Sequence, residues 1–292
     1  MKYGTIPFDG FETWYRIAGS DTCTRTPLLL LHGGPGSTHD CFEVFDHLAD
    51  EEGRQIISYD QLGCGNSYLD GHPEKWVMDT WIRELINLRQ ALHLDRVILL
   101  GHSWGGMLTL EYVCRHHPAG IEGIVLSSTL PATWLWAEEQ QRQADTLPPH
   151  LARAVRDALA SGDFSGDDYR EAEAAYLSRF CEGECGPDTW ECVTRPKRFG
   201  GESYTVAWGS NEFSPTGTSR DYDVISLLPT ISVPALILNG EHDMCTRRVA
   251  ETMAKGIPGA TWKILPGCRH MSFLEDHKAY CAALTAWLRN LP

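Results

Sequence analysis

Six short apolar runs recur along the chain: Pro27 to Leu31, Gln55 to Tyr59, Arg96 to Leu100, Ile121 to Leu126, Ala235 to Leu238 and Thr261 to Leu265. Each is rich in Leu, Ile or Val and is bounded by Gly, Pro or polar residues. Runs that are apolar throughout, without the alternation of a half-solvated strand, are the pattern of strands covered on both faces in a parallel sheet. Parallel neighbours need crossover connections, and helical patterns lie between the runs. The clearest is Glu74 to Leu92, where Trp81, Leu85, Leu88 and Leu92 recur every three or four residues. Trp14 to Ala18 reads as an antiparallel strand at the start. The expectation is an α/β architecture, a mostly parallel sheet with helices on both faces.

From Pro131 to about Ser226 the alternation stops. Helical patterns over Leu151 to Ala160 and Tyr169 to Phe180, with loop signals at Gly162, Gly166 and Gly183 to Pro187, replace it. Strand patterns resume at Val233. The expected organisation is a core over residues 1–130 and 227–292, interrupted by a helical cap over 131–226. No internal repeat or low-complexity tract is present.

The chain's 292 residues carry 25 Lys and Arg against 39 Asp and Glu, a formal net charge of −14. This excess repels phosphate backbones and anionic bilayers, so neither nucleic acid nor a membrane is expected as a partner. Met1 to Gly19 shows no apolar segment of a signal peptide, and no stretch approaches 18 apolar residues. A cytoplasmic enzyme is expected. Its 10 cysteines are scattered and read mostly as reduced, core-filling thiols.

Gly101-His102-Ser103-Trp104-Gly105 matches G-x-S-x-G directly after the run Val97 to Leu100 and before the helical pattern Met107 to Cys114. This is the setting of a nucleophile elbow, a tight strand-to-helix turn that presents Ser103. Its glycines are required where any side chain would strike neighbouring backbone. A serine hydroxyl needs a base and an acid that orients it. Asp243 follows the run Ala235 to Leu238, and His270 follows Thr261 to Leu265, positions at which both emerge at the C-terminal edge of the sheet. This placement favours His270 over His277 or His242. The chain order Ser103, Asp243, His270 is that of the α/β-hydrolase fold. The glycine-rich His32-Gly33-Gly34-Pro35-Gly36, after Leu28 to Leu31, supplies donors for an oxyanion, assigned as the N–H groups of Gly34 and Trp104.

With these residues in place, the chain resembles the prolyl iminopeptidase family of α/β-hydrolases. The likeness rests on His32 to Gly36 (HGGPG), Asp60-Gln61-Leu62-Gly63-Cys64-Gly65-Asn66-Ser67 (DQxGxGxS), Gly101 to Gly106 (GHSWGG) and Trp208-Gly209-Ser210-Asn211-Glu212. The resemblance implies hydrolysis of an N-terminal residue, often proline, or of a small amino-acid amide or ester, with no metal and no cofactor. It also implies that Glu212, in the cap, holds the substrate's α-ammonium. The bland alternative has Glu212 facing solvent or paired with Arg198 or Arg220. In one respect the chain departs from some relatives: Met244 stands after Asp243 where they carry a second Glu, which leans toward less charged substrates. An esterase or lactonase on an uncharged acyl group is the competing enzyme reading. A ligand receptor that keeps the fold without turnover is the reading from another class. Epoxide hydrolase and dehalogenase chemistry is disfavoured, since those place Asp where this chain has Ser103.

Other features have two readings each. Cys181, Cys185 and Cys192 have the spacing C-x3-C-x6-C, without the paired short spacings of common zinc sites. Cys64 and Cys268 flank the catalytic loops as candidates for oxidation. Asp167 and Asp168 read as a solvated helix start. Trp134 and Trp136 line a pocket or pack the cap.

Overall fold

A computed structural model describes residues 1–182 and 189–291. Eight strands form one sheet: β1 (Lys2–Phe8), β2 (Phe11–Ala18), β3 (Arg25–Leu31), β4 (Arg54–Tyr59), β5 (Val97–His102), β6 (Ile121–Ser127), β7 (Ala235–Gly240) and β8 (Thr261–Leu265). Their spatial order is β1-β2-β4-β3-β5-β6-β7-β8. β1 and β2 pair antiparallel, β2 meets β4 antiparallel, and every later pair is parallel. The six apolar runs are β3 to β8, and Trp14 to Ala18 is the second half of β2. β1 is an edge strand without a counterpart in the sequence reading.

Because side chains alternate across a strand, successive residues of the central strands feed two cores. Leu29, Leu31, Leu99, Ile124, Leu126 and Ile237 face one, together with helices α2 (Met78–Ala91), α3 (Trp104–Glu111) and α9 (Arg247–Gly256). Leu28, Leu30, Ile98, Leu100, Val125, Leu236 and Leu238 face the other, against α1 (Leu48–Glu52) and α11 (His277–Arg289). Every one of these strand residues is at most 1% exposed, which explains why the runs lack alternation. The helical pattern Glu74 to Leu92 divides into a 3-10 turn, Pro73–Lys75, and α2 from Met78. The pattern Met107 to Cys114 likewise divides, α3 ending at Glu111 and passing into a π-helical turn, Tyr112–His116.

Between β6 and β7 the chain forms α4 (Thr133–Ala144), α5 (Pro149–Ser161), α6 (Asp167–Phe180), α7 (Glu191–Thr194) and α8 (Gly201–Ala207). A 3-10 turn, Ile225–Thr230, leads back to the sheet. Asp167 and Asp168 form the exposed, acidic first turn of α6. The last helices are α10 (Ser272–Glu275) and α11. Gly183 to Pro187, and with it Cys185, lie outside the described residues. No helix among the described residues is long and apolar enough to cross a membrane.

Candidate active site

Ser103 sits between β5 and α3 with φ 52° and ψ −119°, a left-handed conformation that costs a non-glycine residue on the order of 1–3 kcal/mol. The packing around it compels the turn. A Cβ on Gly101 would lie 2.3 Å from the Gly105 carbonyl oxygen, one on Gly105 2.0 Å from the Leu31 oxygen, and one on Gly106 2.4 Å from Thr129. Real Cβ atoms do not approach other atoms so closely; the first two clashes are with backbone and the third with the Thr129 side chain, so all three positions favour glycine. Ser103 N–H donates to the Ser127 carbonyl (2.9 Å), and Thr129 Oγ1 donates to the Ser103 carbonyl (2.6 Å).

Asp243 and His270 come together from the loops after β7 and β8. His270 Nδ1 lies 2.7 Å from Asp243 Oδ1, and both residues are buried. Asp243 is further fixed by Cys245 N–H (2.7 Å), Gly240 N–H (3.0 Å) and Ser128 Oγ (2.6 Å), all donating to its oxygens. Three donors besides the imidazole hold this carboxylate in one place. The remaining imidazole nitrogen, Nε2, is free to face the pocket that Ser103 and His270 both line. The neighbouring acid Glu241 is exposed and accepts from Gly267 N–H instead. His277 Nδ1 is engaged with the Phe273 carbonyl. His102, 4.8 Å from His270 ring to ring, is pushed well below the usual imidazole range by burial and then by His270, so it adds no charge beside the pair.

The glycine-rich loop follows β3. Gly34 (φ 117°) lines the pocket, and a Cβ there would stand 2.6 Å from Gly36 N. Trp104 heads α3 directly after Ser103; its side chain is buried, and it is not among the residues that line the pocket. Neither N–H has an acceptor among the described residues. Gln61 braces both: its Oε1 accepts from Trp104 Nε1 (3.0 Å) and its Nε2 donates to the His32 carbonyl (2.9 Å). Burial lowers the His32 imidazole to about 4. The neutral ring therefore has Nδ1 beside the Gly33 carbonyl (2.9 Å) and Nε2 accepting from Gln61 N–H (3.0 Å). Asp60 accepts from the backbone of His39 and Asn66, and at Gly65 a Cβ would lie 2.3 Å from its carboxylate. The DQxGxGxS segment thus folds around its own aspartate and supports the glycine loop.

The pocket has a volume of ≈ 310 Å³ and takes its other walls from the insertion and the loop after β7. Glu212 lies in this wall, and its carboxylate accepts from Tyr204 Oη. Burial raises the Glu212 carboxyl above its ordinary range, and the Tyr204 hydrogen bond opposes that shift. Neither arginine weighed as a partner reaches it: Arg198 lies over the Tyr68 ring at 3.4 Å and Arg220 is paired with Asp221. Trp136 lines the pocket and its Nε1 donates to the Glu212 carbonyl (3.3 Å), whereas Trp134 points outward to Asp223. Two residues apart on a helix means about 200° of rotation, the signal that separates them.

Several residues of the site went unread in the sequence. Gln140 and Gln143 of α4 donate to the carbonyls of Met244 and Asp243 (2.8 Å each), and Tyr176 Oη bonds both glutamines. His270 N–H donates to the Phe180 carbonyl (3.1 Å) at the end of α6. Phe199, Tyr204 and Glu182 also line the pocket, and Met244 is there as an apolar wall. The suggestion that Cys64 and Cys268 are oxidisable is not supported by their surroundings. Both are buried, and desolvation pushes Cys64 well above the ordinary thiol range and Cys268 up to about 11. The nine cysteines described are all free. Among the described residues, two triads of possible metal ligands lie outside the pocket: His47, His277 and Cys281, and His39, Asp40 and Glu43. In the second, the Arg195 guanidinium already binds Glu43 and Asp40.

Residues 26–277 match the alpha/beta hydrolase fold family. A proline iminopeptidase of Clostridioides difficile is 47% identical over 285 residues, 98% of this chain and 97% of that protein. The chain belongs to the proline iminopeptidase family. A Lactobacillus helveticus proline iminopeptidase is 46% identical over 98% of the chain and 97% of its own length. The crystal structure of a Mycobacterium smegmatis proline iminopeptidase superposes with a TM-score of 0.87 at 31% identity, covering 99% of this chain and 98% of that one. As a member of the family the chain is an enzyme, a serine hydrolase, and the receptor reading falls.

Proposed function

We propose that this enzyme removes an N-terminal residue, proline or another small residue, from short peptides or amino-acid amides through an acyl-enzyme on Ser103. The observation that carries the substrate class is Glu212: a carboxylate in the same pocket as Ser103 and His270, with no cationic partner among the described residues. A carboxylate partly withdrawn from water without a counter-ion is costly unless a ligand supplies one, and the α-ammonium of a peptide does. The relatives' activity supports the same reading.

In the reaction, the free amine binds Glu212 and lays the scissile carbonyl over Ser103. Ser103 Oγ attacks while His270 Nε2 takes its proton, and Asp243 stabilises the imidazolium through Nδ1. The negative charge that develops on the carbonyl oxygen is met by the N–H groups of Gly34 and Trp104. His270 returns the proton to the departing amine, and water, activated by the same histidine, hydrolyses the ester. The segment 131–226 acts as a cap over the core of 1–130 and 227–292, limiting the substrate to its first residue and a short remainder. The nine described cysteines are free, which suits a reducing compartment, and we place the enzyme in the cytoplasm.

The test compares proline and alanine p-nitroanilides, their N-acetylated forms and simple p-nitrophenyl esters on the wild type and Glu212→Gln. Loss of one partner of a desolvated charge pair costs about 2–5 kcal/mol. KM for free-amine substrates should therefore rise by about thirtyfold or more, with no comparable loss on N-acetylated ones. Equal effects on both would transfer the enzyme to the esterase reading, which Met244, an apolar wall beside Asp243, would then explain.

A further inference from the structure

The chain between α7 and α8 crosses both loops that support the oxyanion site. Arg195 is clasped by Glu43 in two parallel bonds (3.0 Å each), with Asp40 at 3.4 Å and Glu191 at 2.6 Å. Gly65 N–H then donates to the Arg198 carbonyl (2.8 Å), and Gly200 N–H donates to the Gly36 carbonyl (2.8 Å). At Gly200 three backbones meet. A Cβ there would lie 2.4 Å from the Gly63 carbonyl oxygen and 3.1 Å from Gly36 Cα; a Cβ on Gly36 would lie 2.5 Å from the Gly200 oxygen. Gly36 in turn closes the tight turn of Gly34, whose Cβ position is blocked by the amides of Gly36 and Ser37 at 2.6 and 2.7 Å. Ser203 Oγ also sits on this path, 2.5 Å from the Gly200 Cβ position and 3.1 Å from that of Gly36, but the Gly63, Gly36 and Gly200 contacts are backbone on backbone, so a shift of the strap at Gly200 moves the loop that carries the Gly34 N–H.

We infer that Gly200 is a positioning residue, through which the strap 195–200 holds Gly36 and so aims the Gly34 N–H at the developing oxyanion. The inference rests on the proposed acyl-enzyme chemistry but not on the identity of the amine. A misaimed donor weakens every transition state that passes through Ser103, charged substrate or not. A fault transmitted instead through the neighbouring Phe199 and Tyr204 to Glu212 would penalise free amines alone. Removing an oxyanion donor outright costs about 10²–10³ in kcat, and misaiming one costs part of that.

The experiment is Gly200→Ala, with Gly201→Ala as the control, since a Cβ at Gly201 meets nothing within 4 Å. Both are assayed on proline p-nitroanilide and on p-nitrophenyl acetate, well below their melting temperatures, along with inhibition by a prolyl aldehyde that forms a tetrahedral adduct. Gly200→Ala should lower kcat by tenfold or more on both substrates with KM changed less than threefold. Aldehyde affinity should fall in parallel, while Gly201→Ala stays within twofold of wild type. Kinetics within twofold for Gly200→Ala, a loss confined to the amine substrate, or a loss in KM alone would overturn the inference. If Gly200→Ala does not fold, Arg195→Gln decides. Loosening the strap at its clasp should lower kcat at least threefold on both substrates with the same parallel loss of aldehyde affinity, and an unchanged kcat would overturn it. An aminopeptidase assignment that fails on Glu212→Gln leaves the ester arm of this experiment intact, so the two failures are distinguishable.

Discussion

Replacing Tyr204 with Phe removes one hydroxyl from the pocket wall and nothing else. That hydroxyl donates to the Glu212 carboxylate, whose pKa is already raised by burial and is held down by this bond. A hydrogen bond to a charged group contributes about 1.5–3 kcal/mol, which at 1.36 kcal/mol per pKa unit is about one to two units. Only the ionised carboxylate attracts an ammonium. The acidic limb of kcat/KM for free-amine substrates should therefore move upward by about one to two pH units in Tyr204→Phe. Whatever the triad contributes to this limb is common to every substrate. The ratio of kcat/KM for proline p-nitroanilide to that for its N-acetylated form, followed across pH, isolates Glu212. A ratio whose pH midpoint is the same in wild type and variant would refute the role given to the Tyr204–Glu212 pair, as would a shift shared by the N-acetylated substrate.

Asp243→Asn should lower kcat on the order of 10⁴-fold while the fold is kept, since an amide cannot hold the His270 tautomer or stabilise its imidazolium; circular dichroism and single-turnover kinetics check both halves. Glu84, fully buried and accepting from Leu62 N–H and Thr13 Oγ1, is pushed by desolvation up to about 8 from 4.5. Between those values the folded state holds a proton that the unfolded state has released. Stability should therefore fall as pH rises from about 5 to 8, and Glu84→Gln should flatten that slope in thermal melts.

β3 to β7 were legible because their central residues are buried on both faces and so write nearly unbroken apolar runs; β8, expected to be covered likewise, is instead an edge strand with Thr261 and Lys263 exposed, and its signal came from Trp262, Ile264 and Leu265 alone. The elbow was legible because Gly101 and Gly105 are demanded by backbone contacts at 2.0–2.3 Å and Gly106 by the Thr129 side chain at 2.4 Å, leaving little freedom of sequence around Ser103. Asp243 and His270 follow from their places after β7 and β8. β1 was not legible: KYGTIPF combines a glycine, a proline and four exposed positions on an edge strand, so no period stands out. Gln61, Tyr204, Gln140, Gln143 and Gly200 escaped for another reason. Tyr204 meets Glu212 eight positions on, at no helical or strand period, and the others act on residues dozens of positions away, so no local pattern records such a partner. Trp136 and Trp134 differ only by helix phase, which becomes decisive once the helix is known.

The central claim, that Ser103 is the nucleophile of a triad with His270 and Asp243, is tested most directly by covalent labelling. Intact-mass analysis after treatment with diisopropyl fluorophosphate should show one adduct per chain, mapped by peptide sequencing to Ser103 and formed in step with loss of activity. Ser103→Ala should take no label and retain only the low turnover that oxyanion donors and binding sustain. A label on another residue that tracks inactivation, or a folded Ser103→Ala enzyme with activity within about tenfold of wild type, would contradict the account.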